Sequence, residues 1–196
     1  CLVGSEMCIR DRLLLARDRY GVKPLYYTSE NNCFLFASEQ KAIITHPEFT
    51  KELNEEALAE YFTFQNIFTN QTLIKNINLL PSGHYGLLST KNNRFEITSF
   101  WDYEFNEPNY NLSKHEYLEE LERLFFQSVN RQLVSDVELG TYLSGGMDSG
   151  SITSIASQNF PYLKSFTCVF DLSSASGIEI SFDERSKAEH MSYLFK

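Results

Sequence analysis

The chain has 196 residues, 42% of them hydrophobic and 22% charged, with a formal net charge of -9 at neutral pH. This composition suits one good core or two small ones and excludes a disordered or fibrous protein. The acidic balance, with basic residues dispersed rather than gathered in runs, argues against a nucleic-acid partner. The longest early apolar stretch, Leu13 to Ala16, is far too short for a membrane helix or a signal-peptide core, so no membrane partner and a cytoplasmic location are expected. Cys1, Cys8, Cys33 and Cys168 form no C-x-x-C pair and have no histidine at zinc spacing, which fits reduced thiols free of metal.

Residues 1–12, CLVGSEMCIRDR, resemble the translation of a transposase adapter used to build sequencing libraries, with Glu6 to Asp11 as the matching stretch. They are expected to be non-native and stand outside the fold reasoning. Cys1 occupies the place of an N-terminal nucleophile, but because it lies in this segment it receives no catalytic role. Leu13 to Ala16, Pro24 to Ser29 and Cys33 to Ala37 then read as three strands. Gly21 and the pre-proline Lys23 mark a tight connection in RDRYGVK (17–23), and Asn31-Asn32 a hairpin turn. Ser38 to Thr45 and Asn54 to Phe64 read as helices, the second capped by Asn54 and carrying Leu58, Tyr61 and Phe62 on one face. Pro81-Ser82-Gly83 returns the chain to strand, and His84 to Ser89 pairs with Phe95 to Trp101 around Lys91-Asn92-Asn93. Tyr26, Tyr27, Phe34 and Phe36 alternate at strand period as core residues, and Trp101 ends a strand and packs on its hairpin.

Periodicity is lost from Glu104 to Leu112, around Pro108. A linker at 105–112 therefore separates residues 13–104 from 113–196. Ser113-Lys114-His115-Glu116 has the capping-box pattern and leads into Leu118, Leu121, Phe125 and Val129 at helical spacing, predicting a helix to about Leu133. Beyond it a strand (Val137 to Leu143), a turn, a helix (Gly150 to Ser157), a strand (Ser165 to Phe170) and a helix (Asp183 to Phe195) alternate as in a parallel α/β sheet. His46, His84, His115 and His190 are isolated, without metal spacing or an acid-base partner. Asp183-Glu184-Arg185 reads as a helix start favoured by the dipole.

The turn in that alternation is Ser144-Gly145-Gly146-Met147-Asp148-Ser149. Its five fixed letters, each used at about 7% or less, coincide by chance roughly once in a million positions. A turn between strand and helix presents unpaired N–H groups and a partial positive charge to an anion. Glycines let the backbone take positive φ and come close to phosphate oxygens, and Ser144 and Ser149 offer hydroxyls. Asp148 would repel phosphate as an anion, which points to a bridging divalent cation, Mg²⁺ by its preference for oxygen. The lysine of G-x-x-x-x-G-K-[ST] is absent, so an ordinary P-loop nucleotidase is disfavoured. A turn that merely caps the following helix is the structural alternative.

With these residues in hand, the chain resembles the glutamine-hydrolysing asparagine synthetase family, whose synthetase domain carries an S-G-G-x-D-S pyrophosphate loop. RDRYGVKPLYY (17–27), Phe36-Ala37-Ser38-Glu39 with Lys41-Ala42, and Pro81-Ser82-Gly83-His84 follow the order of later segments of that family's glutaminase domain. The resemblance implies an α/β fold: part of an N-terminal-nucleophile-type glutaminase sandwich over 13–104, then the start of a parallel-sheet ATP-pyrophosphatase domain over 113–196. It implies that Ser144, Gly145, Gly146, Met147, Asp148 and Ser149 hold the β,γ-phosphates of ATP, with Asp148 as magnesium ligand, and that Tyr142 and Cys168 line the adenosine pocket. The implied reaction joins aspartate and ATP into β-aspartyl-AMP with release of pyrophosphate, and ammonia from glutamine then yields asparagine. The glutaminase cysteine and the acceptor site are expected outside these residues, so the chain as given is expected to lack turnover. Two alternatives stay open: a sister amidotransferase or cyclising ligase adenylating another carboxylate, and a nucleotide-binding homologue without catalysis. Oligomeric state is left open, a homodimer included.

Overall fold

The computed structural model describes residues 7–8, 11–30, 33–106, 112–169, 171, 177 and 183–195. Cys1, the Asn31-Asn32 turn, the linker centre at 107–111 and the expected strand end at Phe170 lie outside them. The chain divides into two compact units, Cys1–Asn106 and Glu107–Lys196, a mixed α/β protein built on small sheets.

In the first unit the strands are β1 (Met7–Cys8), β2 (Arg12–Ala16), β3 (Tyr26–Glu30), β4 (Cys33–Ala37), β5 (Asn78–Leu79), β6 (His84–Ser89) and β7 (Arg94–Ser99). They form two sheets, ordered β1-β2-β6-β7 and β4-β3-β5, and every pairing in them is antiparallel. Met7–Cys8 and Arg12, from the segment set aside in the sequence reading, thus contribute to a sheet. The core follows from alternation. Leu15 of β2 is buried with Leu25 and Leu80, and Leu13, Tyr27, Phe34 and Phe95 pack around them. The Phe95 ring of β7 lies 4.8 Å from both Tyr27 and Phe34, so side chains of the two sheets meet there. Burying leucines of this kind contributes roughly 1.5 to 3 kcal/mol each.

Two helices, α1 (Gln40–Ile44) and α2 (Glu55–Phe64), fill the connection between β4 and β5. Ile43 of α1, with Phe49 and Ile77, makes a second buried cluster. Asn54 caps α2 as its sequence predicts, its side chain accepting from the Ala57 amide. The expected apolar face does not hold: Ala57 is the buried residue of α2, and Tyr61 and Phe62 are exposed. Spacing identified a stripe but not which stripe meets the core. Trp101 also differs, lying two residues beyond the end of β7, where its amide donates to the Gly83 carbonyl at 3.2 Å and its ring meets Tyr20 edge-on.

The second unit opens with α3 (Lys114–Gln132), whose capping box is complete: Ser113 Oγ accepts from the Glu116 amide and Glu116 Oε2 accepts from the Ser113 amide. Next come β8 (Gly140–Tyr142), α4 (Met147–Ser157), β9 (Lys164–Phe166) and α5 (Arg185–Leu194). The two strands run parallel, Gly140 opposite Lys164 and Tyr142 opposite Phe166, with α4 as the crossover. Val129, Leu143, Ile155, Ala156 and Ala188 are buried. Both strands are shorter than their apolar runs predict: Val137 precedes β8 and is exposed, and Cys168 follows β9 rather than lying on it. A strand extends only as far as it has a partner to bond, and the β8–β9 register covers three residues. The helix in turn begins three residues earlier than expected, at Met147, inside the hexamer itself. No described helix is long and apolar enough to cross a membrane.

Candidate phosphate-binding turn

The hexamer joins the C-terminal end of β8 to α4, the end of a parallel strand at which α/β sheets place ligands. Leu143 is buried and its amide donates to the Phe166 carbonyl at 2.9 Å, which extends the ladder one residue past Tyr142 and fixes the turn's point of departure. Thr167 Oγ1 donates to the Leu143 carbonyl at 2.8 Å, so both backbone groups of Leu143 are used. From there the chain turns at Gly145, whose φ of +77° lies in the region that side chains disfavour. A Cβ on Gly145 would stand 2.4 Å from Lys187 Cβ and 3.3 Å from the Ala188 nitrogen. The first turn of α5 therefore packs directly on this glycine, a neighbour that the sequence did not indicate.

Gly146 is different. It is the N-cap of α4 at φ -81°, open to any residue, and a Cβ there would meet only Ser144 Oγ at 3.3 Å. Because glycine has no capping side chain, the amides of the first turn receive no cap bond.

The two serines brace the turn. Ser149 Oγ accepts from the Ser144 amide at 3.2 Å, reaches the Gly146 carbonyl at 3.2 Å and shares a proton with Ser144 Oγ at 3.0 Å; Ser144 Oγ accepts from the Gly146 amide at 3.3 Å. If Ser149 donates to Gly146 and Ser144 donates to Ser149, both hydroxyl protons are engaged inside the loop. The N–H groups of Gly145, Met147, Asp148 and Ser149 find no acceptor among the described residues. Asp148 is exposed in the first turn of α4, with no hydrogen bond or ion pair among the described residues. A turn with four open donors, a helix N-terminus and a solvent-facing carboxylate suits an anion accompanied by a hard cation that bridges to the acid.

Of the other expected site residues, Tyr142 ends β8 and is 84% exposed, and Cys168 is exposed two residues past Phe166, the register partner of Tyr142. Lys187, exposed on α5 with its backbone against Gly145, is the basic residue that sequence reasoning missed; 38 residues separate it from Ser149 and no motif connects them. Asp183 Oδ1 accepts from the Arg185 amide and Nε at 3.2 and 3.1 Å, engaged at the helix start. One proximity in the first unit was not expected. Cys33 and His46, read as thiol and imidazole without metal-type neighbours, lie together with Glu48, their ligating atoms all within 4.8 Å of one another. The antiparallel hairpin and α1 fold 13 residues of chain back on themselves, a proximity no sequence spacing rule captures.

Residues 8–101 match the glutamine amidotransferase domain family and residues 120–196 the asparagine synthase family. Among curated relatives, the glutamine-hydrolyzing asparagine synthetases 3, 2 and 1 of Bacillus subtilis are 38%, 33% and 31% identical over 77%, 76% and 85% of this chain. The chain spans 24%, 21% and 26% of their lengths, about a quarter. With an amidotransferase segment ahead of an asparagine synthase segment, and the glycine-serine turn inside the second, the chain belongs to the glutamine-hydrolysing asparagine synthetase family.

Proposed function

We propose that the chain is part of an ATP-dependent amidotransferase that forms asparagine from aspartate, glutamine and ATP, releasing glutamate, AMP and pyrophosphate. The single observation that carries this reading is the turn at 144–149, at the end of a parallel strand, with four amides and an Asp148 that have no partner among the described residues. In this reading the amides of Gly145, Met147, Asp148 and Ser149 grip the β,γ-phosphates, while Ser144 and Ser149 keep the turn in shape. Asp148 would hold Mg²⁺, which supplies neutralising charge for the departing pyrophosphate. Preorganised donors around pyrophosphate favour its departure when the aspartate carboxylate attacks the α-phosphorus. In the same reading Tyr142, the last residue of β8, and Cys168, two residues past β9, would line the adenosine pocket.

The finer domain reading belongs to the same proposal. Residues 13–104 form the later part of an N-terminal-nucleophile-type glutaminase sandwich, 105–112 the linker, and 113–196 the beginning of the parallel-sheet ATP-pyrophosphatase domain, with residues 1–12 of non-native origin. Equilibrium binding of Mg-ATP tests the central claim. Saturable binding that weakens at least tenfold in Asp148→Ala is expected; equal affinity of the two proteins would reduce the turn to a helix cap. For the protein in its full reading frame, pyrophosphate release that depends on aspartate distinguishes this reaction from adenylation of another acid.

A further inference from the structure

We propose that Cys33, His46 and Glu48 form a binding site for a borderline divalent transition metal, Zn²⁺ in the first instance, separate from the nucleotide turn and independent of its assignment. Three groups of different kinds converge: a thiol at the start of β4, an imidazole two residues past the end of α1, and a carboxylate two residues further on. Their ligating atoms lie within 4.8 Å of one another. A tetrahedral zinc with bonds of about 2.0 to 2.3 Å asks for ligand separations of roughly 3.2 to 3.8 Å, so side-chain rotation of about an ångström completes the site.

The frame behind these groups is firm. Cys33 is paired in the hairpin opposite Glu30. The His46 amide donates to the Ile43 carbonyl at 3.0 Å and the Phe49 amide to the His46 carbonyl at 3.1 Å, while Ile43 and Phe49 are anchored in one buried cluster. Backbone movement is therefore small and the adjustment falls on side chains. The competing contact is weak: the Glu48 amide donates to His46 Nδ1 at 3.3 Å, and ligation through Nδ1 exchanges that long bond for the metal. Cys33 and His46 are half-buried and Glu48 is exposed, which leaves an approach from solvent and a fourth position for water. Thiolate and imidazole select zinc over magnesium or calcium, so this site and Asp148 would not compete for the same ion.

Titrating Co²⁺ into the reduced 196-residue chain reads the site directly, through the thiolate-to-cobalt charge-transfer band and the visible bands of a tetrahedral ion. One equivalent is expected to bind, with Zn²⁺ displacing it. Cys33→Ser should abolish the charge-transfer band, and His46→Gln and Glu48→Gln should each weaken binding at least tenfold. Cys8→Ser and Cys168→Ser should leave band and stoichiometry unchanged. Absence of the band in the parent chain, its persistence in Cys33→Ser, or unaltered affinity in both His46→Gln and Glu48→Gln would overturn the proposal.

Discussion

Two turns of this chain each combine glycine with an aspartate, and the two aspartates end in opposite states. In the first unit, residues 17–23 are braced by their charged side chains: Arg17 donates to the carbonyls of Lys23, Leu80 and Gly21 at 3.0, 2.8 and 2.8 Å, and Asp18 Oδ1 accepts from the amides of Tyr20 and Val22. In the second, residues 144–149 use two hydroxyls to hold their shape and leave four amides without a described acceptor. A guanidinium can fill three carbonyls at once, whereas serine has a single proton to give. Glycine and charge in a turn therefore do not by themselves signal a ligand; Asp18 is spent on its own turn, whereas Asp148 has no bond among the described residues.

Replacing Gly145 with alanine should have the largest effect. The residue would need positive φ, costing about 1 to 2 kcal/mol, and its methyl would enter the 2.4 Å space beside Lys187 Cβ. A loss of about 3 kcal/mol is expected in urea unfolding of the second unit; a neutral result would mean that α5 does not rest on the turn. Arg17→Ala should follow, at about 2 to 3 kcal/mol in the same assay on the first unit, because three carbonyls lose a charged donor. If Arg17→Ala proves silent, the description of that turn as braced by its guanidinium fails.

Asp148→Ala should separate the two properties. Stability changes by no more than about 1 kcal/mol, the helix-dipole contribution of an acidic first-turn residue, while Mg-ATP binding weakens tenfold or more. For Asp18 the effect is smaller and depends on pH. Burial alone would raise its carboxyl, but amides of Val22, Tyr20, Lys23 and Gly21 outweigh this and hold it below the usual aspartate range. A depressed folded value gives stabilisation that is present above the unfolded pKa and fades as pH falls through the folded one. Parent and Asp18→Asn should therefore differ most in melting temperature above about pH 4 and converge only as pH falls through the lower folded value. Gly146→Ala should change stability least, given its ordinary φ and one 3.3 Å contact; its effect should fall on nucleotide affinity, as a methyl beside Ser144 Oγ narrows the anion's approach.

Local chemistry was legible in the letters. Asn54 and Ser113 cap the helices their sequences announce, and Ala16, Ala37 and Ser89 close the strands that alternation predicts. Long-range neighbours were not. Phe62 belongs to an apolar stripe yet is exposed, Val137 continues an apolar run yet precedes its strand, and Lys187 meets Gly145 only because α5 returns to the turn. In each case the missing information is which other element occupies the adjoining space.

Sequence alone determined the turn's type, the caps, the hairpins and the family likeness, because each rests on covalent neighbours whose spacing the chain itself sets. Tertiary structure decided which donors remain open at 144–149, where the strands stop, which face of α2 is buried, and that Cys33 meets His46 and Glu48. Those outcomes depend on partners far along the chain, and a hydrogen bond or a contact exists only once the fold has brought both halves together.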